Sequence, residues 1–342
     1  MSRANFLELL NSRPWLLADG ATGTNLFAAG LQSGDAPELW NEEHPDRIRT
    51  LHRKFIEAGS DIVLTNSFGG SSYRLKLHNA QDRVHELNKK AAELARIEAD
   101  AADRPVIVAG SMGPTGEIME PVGSLSHADA VKAFAEQAQA LEEGGADVLW
   151  IETISSEEEF KAALEGARTT KLPVVATMSF DTNGRTMMGL TPANYARLAP
   201  AQAGAPDAIG ANCGTGAAEL VAAVLGMTEV DPDAVVVAKG NCGIPAWVGG
   251  HIHYDGTPEL MADYARLALD SGAKIIGGCC GTTYEHVRAM RQSLESYEKG
   301  SRPSVETVEE RLGKVSPLAH GTDTAAEGAA RRGREGRGRR RG

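Results

Sequence analysis

Short apolar segments alternate with longer segments of helical periodicity from residue 15 to about residue 296. Eight of the apolar segments have the length and composition of parallel strands that are buried on both faces. The segments 83–101, 127–143 and 157–168 repeat apolar residues at the spacing of one helix face. The predicted strands are 15–19, 61–65, 106–110, 147–152, 173–179, 207–212, 234–240 and 274–278.

Eight strand–helix units fit either a closed (β/α)8 barrel or an open doubly wound sheet. Eight units within about 265 residues favour the barrel. The glycine-rich segment Asp19-Gly20-Ala21-Thr22-Gly23-Thr24 follows the first strand, but it does not match the G-x-G-x-x-G pattern, and the Walker pattern is absent. We therefore predict a (β/α)8 barrel domain over residues 1–314 and no nucleotide-binding fold.

The last part of the chain has a different composition. Residues 315–342 are rich in Gly, Ala, Glu and Arg, and we expect them to form a disordered tail. The net charge is −11, but the last twelve residues contribute +6, which leaves −17 for residues 1–330. An acidic body argues against a nucleic-acid surface on the folded domain. A solvated tail without function is the expected reading, and contact with RNA or an acidic partner is the alternative.

The chain shows no apolar run near the ~20 residues that a membrane span needs. Its start, Met1-Ser2-Arg3-Ala4-Asn5, lacks the features of a secretory leader. We therefore expect a cytoplasmic protein without a membrane partner. Segment 297–314 is available for contacts between two copies, so a homo-oligomer stays open.

Cysteine placement carries the strongest chemical signal. Cys213 follows the sixth strand, and Cys279 and Cys280 follow the eighth within Gly277-Gly278-Cys279-Cys280-Gly281. In a barrel, the carboxyl ends of the strands meet at one mouth, so these thiols are expected to converge. Three thiolates with one open position are typical of a catalytic zinc site. The alternative reading is that these cysteines only pack in the core.

Cys242, His251 and His253 are further candidate metal ligands. Cys242, after strand seven, either completes a closed four-thiolate site or is a bystander, and we interpret it as a bystander. His251 and His253 are interpreted as loop or pocket-rim residues. Two further hypotheses are a thiol-redox protein that uses Cys279-Cys280 without metal, and a binding module with structural zinc.

Two carboxylates also fall at predicted strand ends, Asp19 after strand one and Glu152 after strand four. A buried acid is costly unless it meets a cation or a hydrogen-bond donor. A substrate ammonium group would meet that need, and a structural ion pair or backbone contact is the alternative.

Four segments together resemble the homocysteine-binding domain of zinc-dependent homocysteine S-methyltransferases, over roughly residues 10–297. The most specific of the four is the segment that contains Cys279 and Cys280. The segments are Asp19-Gly20-Ala21-Thr22-Gly23-Thr24, Thr65-Asn66-Ser67-Phe68-Gly69, Asn212-Cys213-Gly214 and Ile276-Gly277-Gly278-Cys279-Cys280-Gly281-Thr282-Thr283.

The resemblance implies a (β/α)8 barrel, Zn²⁺ held by Cys213, Cys279 and Cys280, and methionine as product. It implies that Asp19 and Glu152 hold the homocysteine amino group. It further implies substrate contacts for Asn241, Asn66 and Phe68. A free thiol of the cysteine type has a pKa of about 8.5, so little thiolate exists at neutral pH. Zinc would activate the homocysteine thiol for attack on an activated methyl group.

The methyl donor is less well defined by the sequence. Proteins of this kind use betaine, S-methylmethionine, S-adenosylmethionine or, in larger chains, methylfolate through cobalamin. A small onium donor, betaine first, is the expectation, held by aromatic faces. The alternatives are S-methylmethionine and a split methionine synthase that receives the methyl group from a corrinoid protein. Gly69-Gly70, where betaine enzymes carry tyrosine, weakens betaine. The aromatic candidates are Trp40, Phe68, Tyr73 and Trp247.

Overall fold

The computed structural model describes residues 5–248, 251–316 and 319. Eight of its strands form one sheet of parallel neighbours in the order β1-β10-β7-β6-β5-β4-β3-β2. A parallel bridge between Ala18 and Ile62 joins the two ends of that sheet, so it closes into a barrel. The strands are β1 (Leu16–Leu17), β2 (Ile62–Leu64), β3 (Ile107–Met112), β4 (Val148–Ile154), β5 (Val174–Met178), β6 (Ala208–Cys213), β7 (Val236–Gly240), β8 (Pro245–Val248), β9 (His251–Tyr254) and β10 (Ala273–Gly278).

Helices connect the strands, as the (β/α)8 prediction requires, and the predicted fold class is confirmed. All eight predicted strands overlap a barrel strand, and the three predicted helices correspond to α6, α7 and α8. The helices are α1 (Phe6–Ser12), α2 (Gly23–Ala28), α3 (Trp40–Glu43), α4 (Pro45–Ala58), α5 (Ser72–Leu75), α6 (Val84–Asp100), α7 (His127–Glu143), α8 (Glu157–Ala167), α9 (Pro192–Leu198), α10 (Ala217–Val230), α11 (Pro258–Asp270), α12 (Tyr284–Glu295) and α13 (Val305–Leu312).

The barrel interior is apolar at its amino-terminal end. Alternate strand residues point inward, because successive side chains of a strand face opposite sides of the sheet. Ile107, Val148 and Ile275 belong to this inner cluster, and Phe6 and Leu10 of α1 pack against it and close the bottom of the barrel. The larger cluster lies between the strands and the surrounding helices. Described residues therefore fill the lower part of the interior, which leaves the upper end for a site.

The segment between the seventh and eighth barrel strands departs from the simple repeat. Strands β8 and β9 form an antiparallel hairpin there, within a region that the sequence pattern predicted as loop. Most of the predicted tail, 317–318 and 320–342, lies outside the described residues, and so do the side chains of Trp247, His251 and His253. No helix in the described part of the chain is both long and apolar enough to cross a bilayer.

Candidate active site

A polar layer caps the apolar interior at the carboxyl ends of the strands. Each of its residues stands two positions after an inward-facing one, so strand alternation places all of them inside the barrel. Their side chains are buried despite being polar or charged. Such a layer has no packing advantage over apolar residues, and its place at this end of a barrel is where catalytic groups are found. The layer consists of Ser111, Glu152, Thr177, Asn212 and Lys239.

The three predicted cysteines converge above this layer. Cys213 ends β6, and Cys279 and Cys280 follow β10; their sulfur atoms all lie within 4.8 Å of one another. The Sγ atoms of Cys213 and Cys279 are 2.8 Å apart. Four-coordinate zinc with Zn–S bonds of about 2.3 Å needs sulfurs roughly 3.8 Å apart. That separation lies within the 4.8 Å that encloses the three sulfur atoms. A three-cysteine cluster of this kind is typical of a zinc site.

The backbone around Cys213 is fixed by its neighbour. Cys213 has φ 58°, in the left-handed region that non-glycine residues rarely adopt, and so does Thr153 with φ 63°. The Asn212 side chain accepts a hydrogen bond from the Thr153 N–H at 2.8 Å. It also donates to Thr153 Oγ1 at 2.7 Å. One buried amide therefore holds the end of β4, with Glu152, against the cysteine of β6.

Asn241 connects the two cysteine-bearing loops. Its Nδ2 donates to the Gly214 carbonyl at 2.7 Å. Its Oδ1 accepts from the Cys280 N–H at 3.0 Å. Both ends of the amide are thus engaged by backbone beside a cysteine. The structure places this predicted substrate-binding residue where it sets the spacing of the thiols.

Cys242 lies apart from the cluster. Its Sγ donates to the Gly256 carbonyl at 3.2 Å, and the residue is buried. The metal-compatible cluster found among the described residues contains the other three cysteines only. Burial raises the pKa of the Cys242 thiol to about 12, so it stays protonated at neutral pH.

Glu152 lies on the cavity floor, buried, with the Ser111 hydroxyl donating to Oε1. Burial is the main cause that raises the pKa of this carboxyl to about 7, and the nearby charge of Cys279 adds to it. Among the described residues no cation lies within ion-pair distance of Glu152. A ligand ammonium group would therefore supply the partner that the protein does not.

Asp19 is engaged within the protein. Lys239 Nζ donates to Asp19 Oδ1 at 2.8 Å, and the Leu64 N–H donates to Oδ2 at 2.7 Å. Lys239 is itself only 2% exposed and lines the cavity. Burial alone would lower the lysine pKa, but the negative charges of Asp19, Glu152 and Cys279 outweigh burial and raise it.

Lys239 is the main site residue that the sequence reading missed. Its signal was present, because it is a charged residue at an inward position of a strand predicted to be buried. The alternation that places Val237 in the core places Lys239 one step higher, at the polar layer.

Asn66 and Phe68 lie on the other side of the cavity. Asn66 is buried, and its Nδ2 donates to the Pro37 carbonyl at 2.8 Å and to Asn41 Oδ1 at 3.0 Å. The Phe68 side chain is 38% exposed at the cavity mouth. Asn66 thus orders a loop, while Phe68 presents an aromatic surface to whatever enters.

The other described aromatic candidates are not at the cavity. Trp40 is buried, with the Arg47 guanidinium 4.8 Å from its ring centroid. Tyr73 packs against the small cluster around Met119. The cavity has a volume of about 450 Å³. Of the candidates whose side chains are described, Phe68 lines it, together with Phe27 and Tyr254, which the sequence did not single out.

Comparison with known proteins agrees with this geometry. The homocysteine S-methyltransferase family model matches residues 16–294. The chain is 32% identical over 325 residues to methionine synthase of Mycobacterium tuberculosis and 31% identical over 315 residues to that of Mycobacterium leprae. These matches cover 89% and 87% of the chain but only 27% and 26% of the relatives, so it spans about a quarter of their length.

One solved structure is matched over nearly its whole length. The metallated form of the homocysteine methyltransferase MmuM from Escherichia coli superposes with a TM-score of 0.69 at 25% identity. The match covers 83% of this chain and 98% of that one. The shared unit is thus the barrel with its mouth, without a second domain on the MmuM side.

Proposed function

Because the chain belongs to the homocysteine S-methyltransferase family, we propose that it transfers a methyl group from a sulfonium amino acid such as S-methylmethionine to homocysteine, giving methionine. The observation that carries the proposal is that Cys213, Cys279 and Cys280 converge in the same cavity as Glu152, whose carboxylate has no cation within ion-pair distance among the described residues. A thiol-activating metal site and an ammonium site within one cavity match the two ends of homocysteine.

The cysteine donors fit Zn²⁺, and Asn241 and Asn212 hold them in place. Zinc, when bound by three thiolates, leaves one ligand position open and lowers the pKa of a thiol that occupies it. Glu152 takes the substrate ammonium group. Lys239 Nζ donates to the backbone carbonyl of Asp19 at 3.1 Å and to its Oδ1 at 2.8 Å, so its third N–H is available to the substrate carboxylate. Asp19 acts through Lys239, which it orients.

The reaction balances without a further reactant. The homocysteine sulfur attacks the methyl carbon of the sulfonium, the donor S–CH₃ bond breaks, and a new S–CH₃ bond forms. One proton leaves the homocysteine thiol, and with S-methylmethionine both sulfur products are methionine. The protein contributes alignment of the attacking sulfur and the methyl carbon, which holds them in a reactive geometry.

S-methylmethionine is proposed ahead of betaine because two of the three described aromatic candidates for holding a quaternary ammonium group lie outside the cavity lining. Betaine was the expectation from sequence, but Trp40 and Tyr73 lie away from the cavity, and betaine is a prediction that the comparisons do not support.

A second candidate is a homocysteine-activating module that receives its methyl group from a corrinoid protein. Its support is the identity to methionine synthase, together with exposed apolar side chains on loops at the cavity end of the barrel. An apolar rim suits a docking protein. Among described residues, the exposed large hydrophobic side chains in the segments that follow the strands at this end are Phe27, Phe68, Leu77, Ile118, Val122, Met187, Met188 and Ile244.

The test is methionine formation by zinc-loaded protein with homocysteine and, in parallel, S-methylmethionine, betaine or methylcobalamin. Turnover with S-methylmethionine is expected, and Glu152→Gln should raise the homocysteine KM about 10- to 100-fold, because a charged hydrogen bond is lost. Turnover only with methylcobalamin would select the second candidate, and turnover only with betaine would restore the expectation from sequence.

A further inference from the structure

The outer part of the cavity contains charged side chains that activation of homocysteine does not use. Glu38 comes from the segment after β1, and Arg74 and His78 come from the segment after β2. All three line the same cavity as the cysteines and Glu152. Charged groups that point into a cavity need partners, and here those partners have to come from a ligand or from water.

Glu38 is a buried carboxylate with few donors. Its side chain is 5% exposed. The Gly69 N–H donates to Oε1 at 2.6 Å, and the backbone N–H of Glu38 itself is the other donor found. Burial raises the pKa of Glu38, while the charges of Arg74 and His78 lower it. No described cation lies within ion-pair distance, so one carboxylate oxygen is left to a donor from the cavity.

Arg74 is the complementary group. Its guanidinium passes over Gly116, where a Cβ atom would come within 3.1 Å of Arg74 Nη1. The guanidinium forms no hydrogen bond or ion pair with the described residues, although its charge acts on Glu38. A planar guanidinium with free N–H groups is suited to a carboxylate, which it can bind through two parallel hydrogen bonds. His78, from the 3-10 turn that follows, also lines the cavity and can supply a second donor.

We propose that Glu38, Arg74 and His78 form a second amino-acid subsite, which binds the α-ammonium and α-carboxylate groups of the methyl donor. This inference rests on the proposed sulfonium donor and specifies how that donor is held. Glu38 accepts from the ammonium group, and Arg74, with His78 beside it, binds the carboxylate. The cavity then has two zwitterion sites, Glu152 with Lys239 for homocysteine and this outer one for the donor, with the reacting sulfurs between them.

The subsite also explains selection among onium compounds. A quaternary ammonium such as that of betaine has no N–H group to give to Glu38, so the buried carboxylate would lose its hydration without gaining a hydrogen bond. A primary ammonium group supplies that bond. The subsite therefore favours an α-amino-acid donor over betaine by chemistry rather than by size.

The experiment measures donor binding and turnover in zinc-loaded protein for wild type, Arg74→Met, Glu38→Gln and Lys76→Met. Lys76 is an exposed neighbour on the same segment outside the cavity lining, so its variant removes an equal charge as a control. Arg74→Met should raise the KM and the calorimetric Kd for S-methylmethionine about 10- to 100-fold. Its homocysteine KM should stay within twofold, and Lys76→Met should match wild type. Glu38→Gln should weaken donor binding in the same direction.

The outcomes separate the two levels of the proposal. If wild type uses S-methylmethionine and Arg74→Met and Glu38→Gln bind it as wild type does, the subsite is wrong and the proposed function stands. If wild type neither binds nor uses S-methylmethionine, the donor is wrong and the subsite falls with it. Restored binding in Arg74→Lys would show that positive charge suffices, whereas a persistent loss would show that the two-bond guanidinium geometry is needed.

Discussion

The two ends of this barrel both contain buried charge, but they use it differently. At the bottom, Asp61 is fully buried and is surrounded by Arg13, Arg104 and Arg291, at 2.7, 3.5 and 3.1 Å. Its Oδ2 also accepts the Leu17 N–H at 2.9 Å. At the mouth, Glu152 and Glu38 are buried without a cation in ion-pair distance among the described residues.

The difference separates structural charge from functional charge. Three arginines satisfy the carboxylate at the bottom, so this cluster links Asp61 to α12 and to the segments that precede β1 and β3. At the mouth, Asp19 pairs with Lys239, while Glu152 and Glu38 form no ion pair with any residue that the structure describes. Unmatched buried groups cost free energy, which a substrate that supplies the missing partner recovers on binding.

Asp61→Asn should give the largest effect on folding. It would leave three arginines without their shared anion, and breaking a buried ion pair costs about 3–5 kcal/mol in the free energy of unfolding. Denaturant unfolding would measure this. The matched control, Asp263→Asn, removes a surface partner of Arg311 and should cost less than about 1 kcal/mol. Loss of methyl transfer in folded Asp61→Asn protein would contradict the assignment of a purely structural role to the charges at the bottom of the barrel.

Glu152 should make the metal-free, reduced protein less stable as pH rises. Because burial raises its pKa from 4.5 to about 7, the folded state holds a proton that the unfolded state has lost between these values. The free energy of unfolding should therefore fall across this window, by about 3 kcal/mol in total at about 1.4 kcal/mol per pKa unit.

Glu152→Gln lacks this titration, while carboxylates remote from the cavity are expected to titrate alike in both proteins. The difference between wild-type and variant stability, from urea unfolding at pH 4.5 and pH 7.5, isolates the contribution of Glu152. Parallel pH profiles for the two proteins would show that Glu152 is charged already at the lower pH and has a partner that the structure does not reveal.

Asn241→Ala should have the smallest of these effects. The amide holds Gly214 and Cys280 in place, and loss of a group that orients metal ligands typically costs 10- to 100-fold in metal affinity. Competition with a chromogenic chelator would measure the zinc Kd. Asn241→Asp keeps the acceptor for the Cys280 N–H and should lose less. Wild-type zinc affinity in Asn241→Ala would show that the loops hold their shape without it.

Much of the fold followed from periodicity. The segment Val148-Leu149-Trp150-Ile151 of β4 is buried on both faces, so its sequence is continuously apolar and easy to recognise. The cysteine cluster followed as well, because strand ends in a barrel share one mouth and Cys213, Cys279 and Cys280 all stand at strand ends. Local pattern and global position agreed at these points.

The partners of polar groups could not be predicted in the same way. Asp19 and Lys239 are 220 residues apart in the chain, and their pairing depends on β1 lying close to β7 across the barrel mouth. Whether Asn241 faces a substrate or a backbone carbonyl depends on loop geometry, which has no periodic signature. The β8–β9 hairpin was missed because a barrel repeat predicts a helix or loop after β7.

The most direct test of the account is zinc content measured together with methionine formation, on reduced protein purified without chelator. Wild type and Cys242→Ala should each hold one zinc per chain and form methionine from homocysteine and S-methylmethionine. Cys279→Ala should lose both zinc and turnover while it keeps its fold by circular dichroism. Wild-type turnover in metal-free protein, or full zinc and activity in Cys279→Ala, would contradict the three-cysteine site on which the account depends.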